Sequence, residues 1–259
     1  MDCVILAGGR IVESDPLFLY TGGEPKALLK LGDKTLLEWV IDAMRESSSV
    51  DEIAVVGVER PSDFDADYPI HFLPDNGSLV SNGFAGIAWA REHNPEASSI
   101  LCCTADIPAI TGVLVDEHIS ACRPFDKAAY YAYVTRQTMD KRFPGAKRTY
   151  TRLDGEDVAS CDLVILRPEI ADTDRRLLDA LENARKHPWK VARIVGVRTL
   201  ASLVFGQLTI SEVESTAERI LGKSVQVIRS ERAELAMDID KPSHIELMRA
   251  EFEHSAGTA

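Results

Sequence analysis

Apolar runs long enough to cross a bilayer are missing from this chain of 259 residues. None reaches the ~18 residues that a spanning helix needs. The first residues hold neither a basic n-region nor an adequate apolar stretch, because Val4–Ala7 runs straight into glycine, so no cleavable leader is expected. Positive charge is also scarce. The 29 Lys and Arg stand against 41 Asp and Glu, a net charge of −12, which argues against a nucleic-acid or anionic-membrane partner. It leaves room for an anionic small substrate met by a local basic cluster. The five cysteines form no C-x-x-C pair and lie mostly in apolar runs, which predicts buried free thiols in a reducing, cytoplasmic setting rather than disulfides or metal ligation. The six histidines show no H-x-x-x-H spacing, so no zinc site is expected. Neither G-x-G-x-x-G nor G-x-x-x-x-G-K-[ST] occurs, which removes the main support for a nicotinamide dehydrogenase or a P-loop NTPase. Repeats, low-complexity tracts and Pro/Gly linkers are absent too.

What is present is an ordinary globular composition, 45% hydrophobic and 27% charged. Its length suits one large α/β domain or two small ones. Short apolar runs at Val4–Leu6, Glu52–Val58, Ile70–Leu73 and Ile100–Cys103 alternate with helical patterns at Thr35–Met44, Leu79–Arg91 and Thr111–Ala121. Thr35 or Asp33 suits the cap of the first helix, and Thr111 that of the third. Continuous apolar strands separated by helices predict a mainly parallel sheet covered on both faces. In such sheets ligands sit beyond the carboxyl ends of strands. Gly8-Gly9-Arg10, Asp75–Ser78 and Asp106 all fall at such ends, so one crevice can hold them.

The middle of the chain reads as strands Ala128–Val134 and Thr149–Leu153 around a basic segment, Lys141–Arg148, followed by a strand at Asp162–Arg167. Asp154, Glu156 and Asp157 read as a solvated loop. Helices are predicted at Thr173–Ala184, around Trp189–Val195, at Leu200–Phe205, and at Ile210–Leu221 with Ser211 near its start. A last strand at Val225–Ile228 precedes Asp238-Ile239-Asp240-Lys241-Pro242. A final helix then opens near Ser243 and ends near Phe252, ahead of a frayed tail, Glu253–Ala259.

Three groups carry candidate chemistry. Strand, glycine pair, Arg10 and then Pro25-Lys26 build an anion cradle: glycine lets backbone N–H groups approach a phosphate, and a lysine adds positive charge. Asp106, after a buried strand, stands where a Mg²⁺ ligand belongs. Mg²⁺ uses one or two carboxylates and fills its remaining positions with water and phosphate oxygens. Asp240, or alternatively Asp238, supplies the second carboxylate.

With these residues assembled, the segments LAGGR, PKALLKLGDKTLLEWVIDAM, TADIP and DIDKPSHIELM resemble the MobA-like NTP transferase (nucleotidyltransferase) family, and 147–166 resembles some of its unassigned members. The resemblance implies a Rossmann-like, three-layer α/β/α fold with a mainly parallel mixed sheet. It also implies Mg²⁺-dependent transfer of NMP from an NTP to a phosphate monoester of molybdopterin, sugar-phosphate or polyol-phosphate type, with release of pyrophosphate. Leu6, Ala7, Gly8 and Gly9 match the loop around base and phosphates, Arg10 and Lys26 the neutralising cations, and Asp106 and Asp240 the metal ligands. Asn76, Gly77, Ser78, Ser81 and Asn82 lie where family members contact the base. The chain departs from the usual glycine loop: the second glycine and the distal Arg-x-Gly are lacking, and Gly22 and Gly23 are expected to replace them in part. That departure keeps a catalytically degenerate, NTP-binding regulatory module as the alternative. Residues 1–259 are read as one domain, with 1–125 and 225–250 as the nucleotide and metal core and 126–224 as an acceptor-binding or dimerisation region. Lys147, Arg148 and Arg152 are the candidate acceptor ligands, and the chain is expected to be a monomer or homodimer.

Overall fold

The computed structural model describes residues 1–61, 64, 69–174, 180 and 193–256. The first half alternates β1 (Cys3–Leu6), α1 (Leu36–Glu46), β2 (Ile53–Val56), β3 (Ile70–Leu73), α2 (Leu79–His93), β4 (Ile100–Thr104) and α3 (Gly112–Ala121). The second half adds β5 (Ala129–Thr135), α4 (Arg136–Arg142), β6 (Thr151–Leu153), β7 (Glu156–Leu166), α5 (Val197–Val204), α6 (Ile210–Leu221), β8 (Val225–Arg229) and α7 (Pro242–Ala256). One eight-stranded sheet takes the order β8-β5-β7-β4-β1-β2-β3, with β6 paired to β7. β4, β1, β2 and β3 are mutually parallel, as are β5 and β8. β7 runs antiparallel to β4, β5 and β6. The sheet is therefore mixed but mainly parallel, and α/β as expected.

Side-chain alternation along β1 shows the three layers. Cys3 and Ile5 enter the core with Leu37, Val40 and Met44 of α1 and Val115 and Ile119 of α3. Val4 points to the opposite face, against Ile87 and Ala90 of α2. Helix starts follow capping chemistry. Thr35 and Glu38 form a reciprocal capping box on α1, and Thr111 caps α3.

Three local readings need correction. The segment after β5 folds as helix α4, capped by Thr135, so the basic run Lys141–Arg148 starts in the last turn of a helix rather than on a plain connection between two strands. Glu156 and Asp157 open β7, which is longer than the predicted Asp162–Arg167, and only Asp154-Gly155 makes a turn, at φ 46° and 79°. Thr209 caps α6, with Ser211 in its first turn as expected, in a second capping box with Glu212. Helix α7 continues past Phe252 to Ala256. The helices expected at Thr173–Ala184 and around Trp189–Val195, like the end of the predicted tail, fall largely outside the described residues.

Candidate functional site

The strand order decides which residues meet. Residues following β2, β1, β4 and the adjoining part of β7 form one continuous rim. The chain leaves β1 through Ala7, whose N–H donates to the Val56 carbonyl at 2.9 Å, and turns at Gly8-Gly9. Gly8 presses against Gly57, where a Cβ would lie 2.3 Å from the Gly8 Cα; Gly57 also has φ +107°. No side chain fits between two backbones this close, which is why glycine occupies both places.

Asn82, 3% exposed on α2, organises the neighbouring wall. Its amide donates to Asp75 Oδ1 at 2.9 Å, and its Oδ1 accepts the Asn76 N–H at 2.7 Å. Gly77 N–H donates to the same Asp75 oxygen at 3.0 Å. Ser78 caps α2 by accepting the Ser81 N–H at 3.1 Å. These residues and the Gly8-Gly9 turn enclose a cavity of 270 Å³ floored by Leu6. The expected residues thus converge, with Asp75 as an added buttress.

On the β4 side, Thr104 Oγ1 donates to Asp106 Oδ1 at 2.5 Å, and the Asp106 carbonyl accepts the Ile239 N–H at 2.9 Å. That backbone bond brings the 238–240 segment to the rim. Lys26 arrives from a short helical turn after Pro25, and the Pro25 backbone pairs with that of Arg10. Its Nζ sits 2.5 Å from Asp106 Oδ2 and 2.8 Å from Asp240 Oδ1. Burial alone would lower the Lys26 ammonium, but Asp106 and Asp240 outweigh it and hold Lys26 above its ordinary range. Asp240 is pulled up by burial, yet the hydrogen bond from Asp238 and the charge of Lys26 leave it well below the usual carboxylate range.

One participant escaped the sequence reading. Asp162 lies on β7, and its buried Oδ2 has no hydrogen-bond partner. Burial, reinforced by Asp106, pushes its carboxyl up to about 7. Arg148, the expected acceptor ligand, forms an ion pair with Asp238 and donates to the Asp238 carbonyl at 3.3 Å. Burial raises Asp238 in turn. The alternation of β7 could have signalled Asp162, a lone acid within an apolar strand.

Beyond the carboxylates lies a second cavity, of 500 Å³, lined by Tyr131, Tyr133, Leu153 and Leu208, with Arg148 and Asp162 at its polar end. Thr151 and Leu153 face this space, while Arg152, between them on β6, points away and pairs with Asp157 at 3.3 Å. Lys147 is exposed in a left-handed turn at φ 51°. Neither lines the cavity. Gly22 ends the helical turn Phe18–Thr21 in a left-handed conformation, and a Cβ on Gly23 would meet the Phe18 ring. Arg10 is exposed.

Ligand atoms of Asp106, Asp238 and Asp240 lie within 4.8 Å of one another. An all-oxygen set with the orphaned Asp162 oxygen nearby suits a hard cation such as Mg²⁺ and would suit Zn²⁺ poorly. Four carboxylates stand against two cations, Lys26 and Arg148; burial raises Asp162 and Asp238, so the net negative charge that suits a divalent ion develops as these two give up their protons.

A mainly parallel sheet with a glycine turn, a lysine and paired aspartates along one rim defines the nucleotidyltransferase class. The chain belongs to the MobA-like NTP transferase domain family, which it matches over residues 3–226. A curated relative, molybdenum cofactor guanylyltransferase of Rhodopseudomonas palustris (strain HaA2), is 36% identical over 115 residues, which span 43% of this chain and 50% of that protein. The chain thus matches only about half the length of that relative. A solved structure of a hypothetical transferase from Thermus thermophilus shares 30% identity and a TM-score of 0.78, over 94% of this chain and 98% of that one. The 2-C-methyl-D-erythritol 4-phosphate cytidylyltransferase of Thermus thermophilus shares the fold at TM-score 0.55 and 18% identity, over 98% of this chain and 100% of that one. Among the described residues no helix is long and apolar enough to cross a membrane.

Proposed function

We propose that this protein transfers a nucleoside monophosphate from an NTP to a phosphate-monoester acceptor, releasing pyrophosphate. The observation that carries the reading is the placement of the Lys26–Asp106–Asp240 cluster at the rim between two cavities. The 270 Å³ cavity at Gly8, Gly9, Ser78 and Asn82 receives the nucleotide, with Leu6 and Ala7 beneath it and Asn76, Gly77 and Ser81 shaping its wall. The 500 Å³ cavity receives the acceptor, and Arg148, the cation among its described lining residues, faces the acceptor's anionic group.

Asp106 and Asp240 would hold a Mg²⁺ ion, with Asp238 and Asp162 behind them. Such an ion supplies charge neutralisation for the triphosphate. The protein's own part is positioning. The glycine turn presents backbone N–H groups, Lys26 carries a positive charge to the α-phosphate, and Arg10 neutralises the outer phosphates from the loop edge. The acceptor phosphate is already anionic when it attacks the α-phosphorus in line, so no general base is required. A single domain in a reducing cytoplasm belongs to the same reading, supported by five buried free cysteines.

The test is pyrophosphate release from each NTP with Mg²⁺ across a panel of phosphate monoesters, run beside Asp106→Asn. Turnover that Asp106→Asn abolishes, with the fold intact, supports the reading. Calorimetric NTP binding without pyrophosphate release on any acceptor would overturn it in favour of a nucleotide-binding regulatory module.

A further inference from the structure

At the amino ends of the strands, away from the cleft, Glu52, His71 and His93 converge. Glu52 immediately precedes β2, His71 stands near the start of edge strand β3, and His93 closes α2. Helix α2 starts at the cleft with its Ser78 cap and runs back along the sheet, so its last turn lands at the opposite pole. The Nε2 atoms of His71 and His93 each lie 2.8 Å from the same Glu52 oxygen, Oε2. The three ligand atoms lie within 4.8 Å of one another.

The rings are also held in place. Trp89, one turn before His93, stacks on it at 5.1 Å and 16°, and lies 5.0 Å from His71. An indole packed against both imidazoles restricts their rotamers, which is how neighbouring groups orient metal-binding side chains. Each of the three side chains keeps about a third of its exposure, 36%, 40% and 33%, so water can reach the centre. Asp51 and Glu52 together add negative charge, enough to help raise the buried Asp2 carboxyl behind its own desolvation.

We propose that Glu52, His71 and His93 form a binding site for a borderline divalent transition cation such as Zn²⁺, Co²⁺ or Ni²⁺, distinct from the carboxylate cluster of the cleft. Two imidazoles and one carboxylate suit these ions, whereas Mg²⁺ prefers oxygen alone. Three protein ligands leave one or more positions for water or a small anion. A tetrahedral Zn²⁺ with bonds of ~2.0–2.1 Å holds its ligand atoms roughly 3.3 Å apart. The Glu52–histidine distances therefore open by about half an ångström. The ion replaces whatever protons the Nε2 atoms share with Glu52; these return to Nδ1 or leave to solvent. The site has no H-x-x-x-H spacing because its ligands come from three separate elements, with Glu52 and His71 alone 19 residues apart.

The test is a Co²⁺ titration of the full chain in excess Mg²⁺, which occupies oxygen sites, read by visible absorption and calorimetry. One equivalent should bind with the absorption of mixed nitrogen and oxygen ligation. His71→Ala and His93→Ala should each weaken it by more than ~10-fold, since even supporting partners of metal ligands cost that much. His93 is exposed at a helix end, so His93→Ala folds, which circular dichroism verifies. Absence of Co²⁺ binding in the wild type, or binding that survives both substitutions, would overturn the proposal.

Discussion

Replacing Lys26 with Met tests the arrangement at the rim directly. The ammonium lies 2.5 Å from Asp106, whose side chain is 13% exposed, and 2.8 Å from Asp240, which is 55% exposed. Removing one partner of a buried ion pair costs about 3–5 kcal/mol, because the other charge stays behind unpaired. The Asp240 arm faces solvent and adds under ~1 kcal/mol. Asp162 and Asp238 relieve part of the loss by taking up protons, since burial already raises both carboxyls. A net loss of about 3 kcal/mol in the absence of divalent ions is expected, equivalent to a Tm lower by about 6–12 °C in a chain of this size. Mg²⁺ should then raise the Tm of Lys26→Met more than that of the wild type, because the ion no longer competes with a resident ammonium. Thermal melts in chelator and across a Mg²⁺ series measure both effects. Equal melting temperatures in chelator, or equal gains from Mg²⁺, would refute the argument that Lys26 compensates these carboxylates.

Other expectations follow from the same geometry. Gly57→Ala should destabilise the fold by about 3 kcal/mol or more in urea titrations, because its Cβ would meet the Gly8 backbone and its φ is +107°. Burial lowers the His118 imidazole from 6.5 to about 4, so its stabilising contribution is present above pH 6.5 and lost as pH falls towards 4. The loss amounts to about 3 kcal/mol, and His118→Leu should flatten that part of the stability–pH curve. Asp162→Asn should melt higher than the wild type at pH 8, where the wild-type carboxyl is forced to ionise beside Asp106, and should bind Mn²⁺ more weakly by electron paramagnetic resonance.

The parallel half of the fold was legible because its strands are short apolar runs and its helices begin at Thr35, Ser78 and Thr111, residues that cap through their side-chain oxygens. The glycine turn, Lys26, Asp106 and Asp240 were readable for a related reason: strand ends in such a sheet share one edge. Legibility failed at β7. The apolar run from Asp162 reads as a strand, but its antiparallel place between β4 and β5 is a tertiary choice, and that placement brings Asp162 beside Asp106. The partner of Arg148 was hidden for a similar reason, since only the folded chain shows that Asp238 pairs with its guanidinium. The Glu52–His71–His93 group shows the same limit: no spacing rule detects ligands gathered from a loop, a strand and a helix.

The join between Lys26 and Asp240 also fixes when the clamp can exist at all. The two residues are 214 positions apart. At ribosomal speeds of ~5–20 residues per second, roughly 10–40 s pass between their syntheses. For that interval the nascent chain carries its glycine cradle, and later Asp106, without the 238–240 segment that completes the clamp. The emerging polypeptide can therefore bury its parallel sheet early, while the Lys26–Asp106–Asp240 cluster assembles only after residues 238–240 have left the ribosome.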